Sequence, residues 1–351
     1  MLNLWGPLST SILSKFMAYS NYVGIDISKN TLDLILITSH GEVLEFAWPN
    51  DREFLRGAFE AFLRQNKLDK DQTLFCAEYT GHFGNKLVDV ALGLTLNLWL
   101  ESPYAIRHSQ GLVRGKNDKI DALRIAEYAK RFVDKAKVVK ANSKILNQIK
   151  HLHAERTLLL QDLTKYKAQL KQEDGFLDKD YLKEKKKRVA KVIASFQRAI
   201  SEVEQKIDRL IGSEAEIKFS FDKVTSVEGI GKQTAIATIV ATDNFKKFDN
   251  PRKFACHAGC APFRYDSGTS IRSRNKVSHK ANKDLKKLYH MAALSILTTS
   301  GELKHYYERK VAQGKNKMSV INAIRSKLIH RVFAVVRENR KNEKNYTPPL
   351  V

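Results

Sequence analysis

The chain has 351 residues, 43% of them hydrophobic, with only 7 prolines and 17 glycines, enough apolar matter for two cored domains and too much for a disordered tail. Its 61 Lys and Arg outnumber 38 Asp and Glu, a formal net charge of +23, and an excess of that size implies a polyanionic partner, most simply nucleic acid. Three cysteines, Cys76, Cys256 and Cys260, exclude a disulfide framework and point to a reducing, cytoplasmic setting, and no run approaches the length of a membrane span.

Residues 1–20 are mildly apolar, lack a basic start and are broken by Gly6-Pro7, so they read as an N-terminal extension. "NYVGIDISKNTLDLILIT" alternates around a Lys-Asn turn and predicts a β-hairpin, with "GEVLEFAW" as a third strand. "DREFLRGAFEAFLRQNKL" predicts an amphipathic helix, "QTLFCAE" a strand ending at Glu78, "GHFGNKLVDVALGL" a helix and "TLNLWLES" a strand. "GKNDKIDALRIAEYAKR" then predicts a helix whose inward stripe is Ala122, Ile125, Ala126 and Ala129. Asp118 and Asp121 lie one turn before members of that stripe, where a helix dipole alone would favour acids. Together these elements predict an α/β domain over residues 21–140.

From Asn142 the pattern becomes heptad. Ile145, Ile149, Leu152, Leu159, Leu163, Tyr166 and Leu170 keep a 4-3 spacing with Arg156 as a polar intruder; Val189, Ile193, Phe196, Ile200, Val203, Ile207 and Leu210 resume it after a break at "KQEDGFLDKD". Residues 141–220 therefore predict a coiled-coil connector, either a hairpin or a dimerising arm. Residues 221–345 predict a mainly helical domain. The charge concentrates here, with 26 basic and 10 acidic residues from Phe221 to Val351. "VEGIGKQTA" places Gly229, Gly231 and Lys232 at a helix start resembling a helix–hairpin–helix turn that holds a phosphate. The segment CHAGC around His257 offers too few ligands for zinc. "CAPFRYDSGTSIRSRNKVSHKANKDLKK" is a polar loop carrying Arg264, Arg272, Arg274, Lys276, Lys280 and Lys283 as candidate nucleic-acid contacts.

Asp26 interrupts an apolar strand, where a lone charge costs several kcal/mol unless it is paired or holds a metal. Glu78 ends a second strand, and Asp118 and Asp121 arrive from a packing helix. Four carboxylates from three elements share a pocket only when cations screen them, and oxygen-only ligands favour Mg2+ or Mn2+ and phosphoryl transfer.

The order strand-Asp (YVGID), strand-Glu (FCAE) and DxxD on a helix resembles a RuvC-like, RNase H-type nuclease core. GIDISKNTLD, AEYTGHFG and KNDKIDALRIAE are similar to the DEDD transposases and recombinases of the insertion sequence 110 family, which includes the Piv-type DNA invertases. VEGIGKQTA, KFACHAGCAPFRYDSGTS and SHKANKDLKKLYHMAA extend the likeness to the C-terminal part. The resemblance implies that Asp26, Glu78, Asp118 and Asp121 bind Mg2+ and that Ser267 is a covalent nucleophile. The residues alone leave Ser267 open to being a turn cap, with Ser270, Ser273 and Ser278 as rivals that only the family pattern removes. It further implies double-stranded donor and target DNA, a structured bridge RNA as guide, and dimers pairing into tetramers, with the protein cytoplasmic and nucleoid-associated when active. A metal-only nuclease such as a junction resolvase and a non-catalytic nucleic-acid-binding protein are the alternatives the residues themselves leave open.

Overall fold

A computed structural model describes residues 19–109, 118–140, 143–261, 266–267, 271–272, 277 and 281–339. The chain divides into two compact units, Met1–Ala141 and Asn142–Val351.

The first unit is built on a five-stranded sheet of order β3-β2-β1-β4-β5. Strand β1 (Asn21–Ile27) pairs antiparallel with β2 (Thr31–Ile37), which pairs antiparallel with β3 (Val43–Pro49). Strands β4 (Thr73–Glu78) and β5 (Asn97–Glu101) add on in parallel. The crossovers are α1 (Arg52–Gln65) and α2 (Asn85–Gly93, entered through a 3-10 turn at Gly81–Gly84); the short α3 (Pro103–His108) and α4 (Asp118–Arg131) follow β5. An antiparallel three-stranded meander continued by two parallel strands is the RNase H-type arrangement that the sequence implies.

Alternation along the strands divides the sheet's residues between two layers. Val23, Ile25, Leu32, Leu34, Phe75 and Leu98 pack with Leu55, Phe59 and Phe62 of α1 and Leu87 and Val90 of α2. The opposite face lies under α4: Tyr22, Leu74, Cys76 and Trp99 meet Ile125, Tyr128 and Ala129, while Ile35 and Ile37 meet Ala122 and Ala126. The small stripe of α4 is needed because the helix lies almost on the backbone of β1. A Cβ at Gly24 would collide with the carbonyl oxygen of Ala122 and the amide nitrogen of Ala126, and would sit 2.9 Å from the Ala126 Cα.

The second unit opens with α5 (Lys144–Glu173) and α6 (Lys179–Ser213). Contacts between residues 156 and 204, 166 and 196, and 173 and 185 pair rising with falling numbers, so the two form an antiparallel hairpin. The polar intruder of the heptad frame finds its partner across the seam, Arg156 Nε donating to Glu204 at 2.5 Å. At the base of the hairpin, Leu146, Ile149, Val203, Ile207 and Ile211 share a core with Ile217 of α7 (Ala215–Thr225) and Ile236 and Ile239 of α8 (Lys232–Thr242). The unit continues through α9 (Pro251–His257), a two-stranded β6 (Asp266–Ser267) and β7 (Ile271–Arg272), α10 (Lys283–Thr298), α11 (Glu302–Ala312) and α12 (Lys317–Arg337). Its core gathers Phe254, Tyr289, Ile324, Leu328, Ile329 and Val332. Among the described residues no helix is long and apolar enough to cross a membrane.

Backbone atoms cannot rotate away from a new methyl as a side-chain tip can. Gly24→Ala is therefore expected to destabilise the protein by about 1–3 kcal/mol or more. Gly57→Ala, in mid-helix with nothing within 4 Å of the new Cβ, should instead be neutral or stabilise by up to about 1 kcal/mol. Chemical denaturation of the two variants beside the parent checks both signs.

Candidate active site

The sheet register decides which acids share a face. Gly24 faces α4, so Asp26, two residues on, faces it as well. On β4, Leu74 and Cys76 point to that layer, and the same parity carries Glu78 there. Since β1 and β4 run parallel with Ile25 opposite Ala77, Asp26 and Glu78 emerge at the same edge of the sheet. Helix α4, described from Asp118 on, carries Asp121 one residue before the buried Ala122. Asp26, Glu78 and Asp121 are all half-buried, and Asp121 accepts from Arg124 Nη1 at 2.7 Å. The side chain of Asp118 lies outside the described residues.

Two further carboxylates join this edge that the sequence reading did not single out. Asp33 stands directly opposite Asp26 in the β-hairpin, and Glu101 stands opposite Glu78 in the parallel pair. Parity places both on the α4 side. The signal for Asp33 was present in the hairpin, because a turn centred on Lys29-Asn30 fixes which residues face each other. Glu101 accepts from the backbone amide of Ser102 at 2.6 Å and from the Tyr128 hydroxyl of α4 at 3.4 Å. Burial and then the Glu101 charge push the Tyr128 phenol up to about 12, and burial raises the Cys76 thiol beneath it.

The turns that follow Asp26 and Glu78 are tied together by one buried side chain. Asn50 donates through Nδ2 to the carbonyl of Ser28 at 2.9 Å and to that of Phe83 at 3.1 Å. Ser28 follows Asp26 by two residues and closes the hairpin turn onto Thr31; Phe83 lies in the 3-10 turn after Glu78. Lys86 Nζ adds a bond to the Asn50 carbonyl at 2.8 Å.

This donor set is all oxygen, the chemistry a hard divalent cation takes. Among the described residues no three His, Cys, Asp or Glu side chains already stand close enough together to form a metal cage.

In the second unit, Ser267 lies in β6 opposite Ile271 of β7, with Asp266 opposite Arg272. Arg264, Arg274, Lys276 and Lys280 fall outside the described residues, as do the side chains of Ser267 and Arg272. Lys283 is exposed in the first turn of α10, which Asn282 caps by accepting from Asp284 N and Leu285 N. Gly229 has φ +82° and packs against Ile296 and the Ala292 carbonyl of α10, leaving no room for a Cβ. Gly231 caps α8, and Lys232 pairs with Asp208 of α6 at 2.6 Å.

Two family models match separate stretches of this chain. A DEDD transposase model of IS110 type matches residues 23–178, and one described as transposase, IS116/IS110/IS902 family, matches residues 222–308. The pilin gene-inverting protein of Moraxella lacunata is 25% identical over 336 residues, covering 92% of this chain and 98% of the relative. Its namesake from Moraxella bovis gives the same identity and coverage. An uncharacterized 43.6 kDa protein of insertion element IS110 from Streptomyces coelicolor is 26% identical over 146 residues, 42% of this chain and 36% of that protein. Among solved structures, T. thermophilus RuvC in complex with a Holliday junction substrate aligns over 34% of this chain and 100% of its own, at 14% identity and a TM-score of 0.24.

Asn50→Ala removes the donor shared by two carbonyls and should cost about 1–3 kcal/mol. Asn50→Asp, the same shape without the donor, should not restore it. Hydrogen exchange read at Ser28–Thr31 and Gly81–Gly84 should accelerate in both variants; protection unchanged in both would deny Asn50 this role.

Proposed function

The chain belongs to the IS110 family of transposases, and from that premise we propose that it is a site-specific DNA recombinase that cuts and rejoins strands through its carboxylate edge and Ser267. The observation that carries the reading is the register that delivers Asp26 and Glu78 to one sheet edge beneath the helix bearing Asp118 and Asp121. Those four side chains would hold Mg2+ or Mn2+, which when bound neutralises the charge of the phosphate under attack.

Ser267 supplies the nucleophile. Its hydroxyl loses a proton to a base as the oxygen attacks a DNA phosphorus, and a sugar oxygen leaves. One ester forms for each that breaks, so the phosphoserine link can be resolved by a second strand without ATP. Arg264, Arg272, Arg274, Lys276, Lys280 and Lys283 are proposed to take phosphates near that serine, in the part of the chain whose net charge supports it. A structured RNA is proposed as the guide, leaving sequence choice to base pairing. Dimers pairing into tetramers are proposed to join the carboxylates of one subunit to Ser267 of another, consistent with the two groups belonging to separate compact units. The cytoplasm, at the nucleoid, is the proposed place of action.

The test is a denaturing gel of purified protein, its co-purifying RNA and end-labelled DNA with Mg2+. The parent should give a slow-migrating protein–DNA adduct, absent with EDTA, with Ser267→Ala and with Asp26→Asn, while both variants keep their nucleic-acid affinity. Cleavage without an adduct in Ser267→Ala would instead identify a hydrolytic nuclease.

A further inference from the structure

We propose that the tip of the helical hairpin is a binding site for a single-stranded segment of nucleic acid, gripping its phosphates along α6 and stacking a base on Phe176. The proposal rests on the reading of the chain as a nucleic-acid-processing enzyme; its lysine row lies within residues 179–221, outside both matched family regions, while Phe176 falls near the end of the first.

Three observations meet at the tip. The first is that it is a built structure. Gly175, at φ +86°, turns the chain after α5; Asp178 caps α6 by accepting from Asp180 N and Tyr181 N. Lys185 bonds Glu173 at 2.6 Å and Lys186 bonds Asp174 at 2.9 Å, tying the two helices together over Leu182, which is 6% exposed.

The second is a row of unspent charge. Lys179, Lys183 and Lys187 recur at i, i+4 and i+8 and so lie on one side of α6, about 6 Å apart along its axis. All three are exposed, and no hydrogen bond or ion pair engages them among the described residues. They line a shallow groove of about 590 Å³ with Leu182 and Asp174, whose charge Lys186 already meets. A row of like charges held this close on one face is unfavourable unless an anion lies along it. A chain of phosphates meets it at several points.

The third is an aromatic with nothing to pack on. Phe176 is 88% exposed at the crest of the turn, three residues before Lys179, and Tyr181, in the first turn of α6, is 50% exposed. Cations beside an open ring form the surface that holds unpaired bases, each stacked base stabilising the complex without regard to sequence. A duplex, whose bases are already stacked, would use the lysines and not the ring.

The test uses the full chain, with fluorescein-labelled single-stranded RNA, single-stranded DNA and duplex DNA of about 15 units. Replacing Lys179, Lys183 and Lys187 with Ala should lower single-strand affinity at least tenfold. The slope of log affinity against log salt should fall by about two units, near 0.7 for each lost contact. Phe176→Ala should weaken both single strands about tenfold and leave the duplex unchanged; loss confined to RNA would assign the tip to RNA, and equal loss to either strand.

A control with Ala at the exposed Lys130, Lys137 and Lys140 removes equal charge elsewhere. An equal effect in that control would overturn the proposal, as would polyglutamate displacing the strand as well as unlabelled RNA does. A parent that binds while the triple variant is unaltered overturns the tip alone. A parent that binds none of the probes overturns the recombinase reading with it.

Discussion

No side chain fits between Gly24 and α4, and the geometry of the candidate site follows from that exclusion. Because β1 presents bare backbone to the carbonyl of Ala122 and the amide of Ala126, the helix axis comes closer to the sheet than any larger pair would allow. Asp26 is two residues along the same strand, and Asp121 is one residue before Ala122. The distance between two charged groups on different elements is thus set by an uncharged contact beside them. Ala122, Ala126 and Ala129 are the helix's half of the arrangement, each fully buried, and a larger residue at any of them would lift the acids with the helix.

The hairpin of the second unit handles a buried-side charge in another way. Arg156 occupies a seam position where an apolar residue would pack, and it is held by Glu204, which also accepts from Gln233 of α8 at 3.3 Å. The ion pair is half-buried, so desolvation consumes much of its attraction. What it supplies is register: sliding one helix by a turn would leave both charges without partners, whereas an all-leucine seam tolerates the slip.

Much of this was legible before any coordinates. Alternation and a Lys-Asn turn located the hairpin of β1 and β2, and heptad spacing located α5, α6 and the break between them. Those signals are local, carried by residues two to four apart. What was not legible depends on residues far apart in sequence. Glu101 acquires its place only through pairing with Glu78, and Asn50 looks like a loop residue until its bonds to Ser28 and Phe83 are seen. The glycines of VEGIGKQTA show the converse. A phosphate-holding turn and a close helix crossing both call for glycine, and the contact of Gly229 with Ile296 and Ala292 is a long-range fact that the motif does not encode.

The five carboxylates whose burial is described share one further property. Asp26, Asp33, Glu78, Glu101 and Asp121 are all half-buried, while Ile25, Leu34, Ala77 and Ala122 beside them are fully enclosed. A carboxylate sunk as deeply as those neighbours would be driven neutral by desolvation, and a neutral acid is a poor ligand for a cation. One left fully in water would stay charged but sample many rotamers, spending its affinity on being ordered. The ends of strands under a helix avoid both failures: the backbone is fixed by the sheet, and the side chain is neither fully enclosed nor fully exposed. The same edge therefore suits charged ligands for reasons that precede any particular reaction.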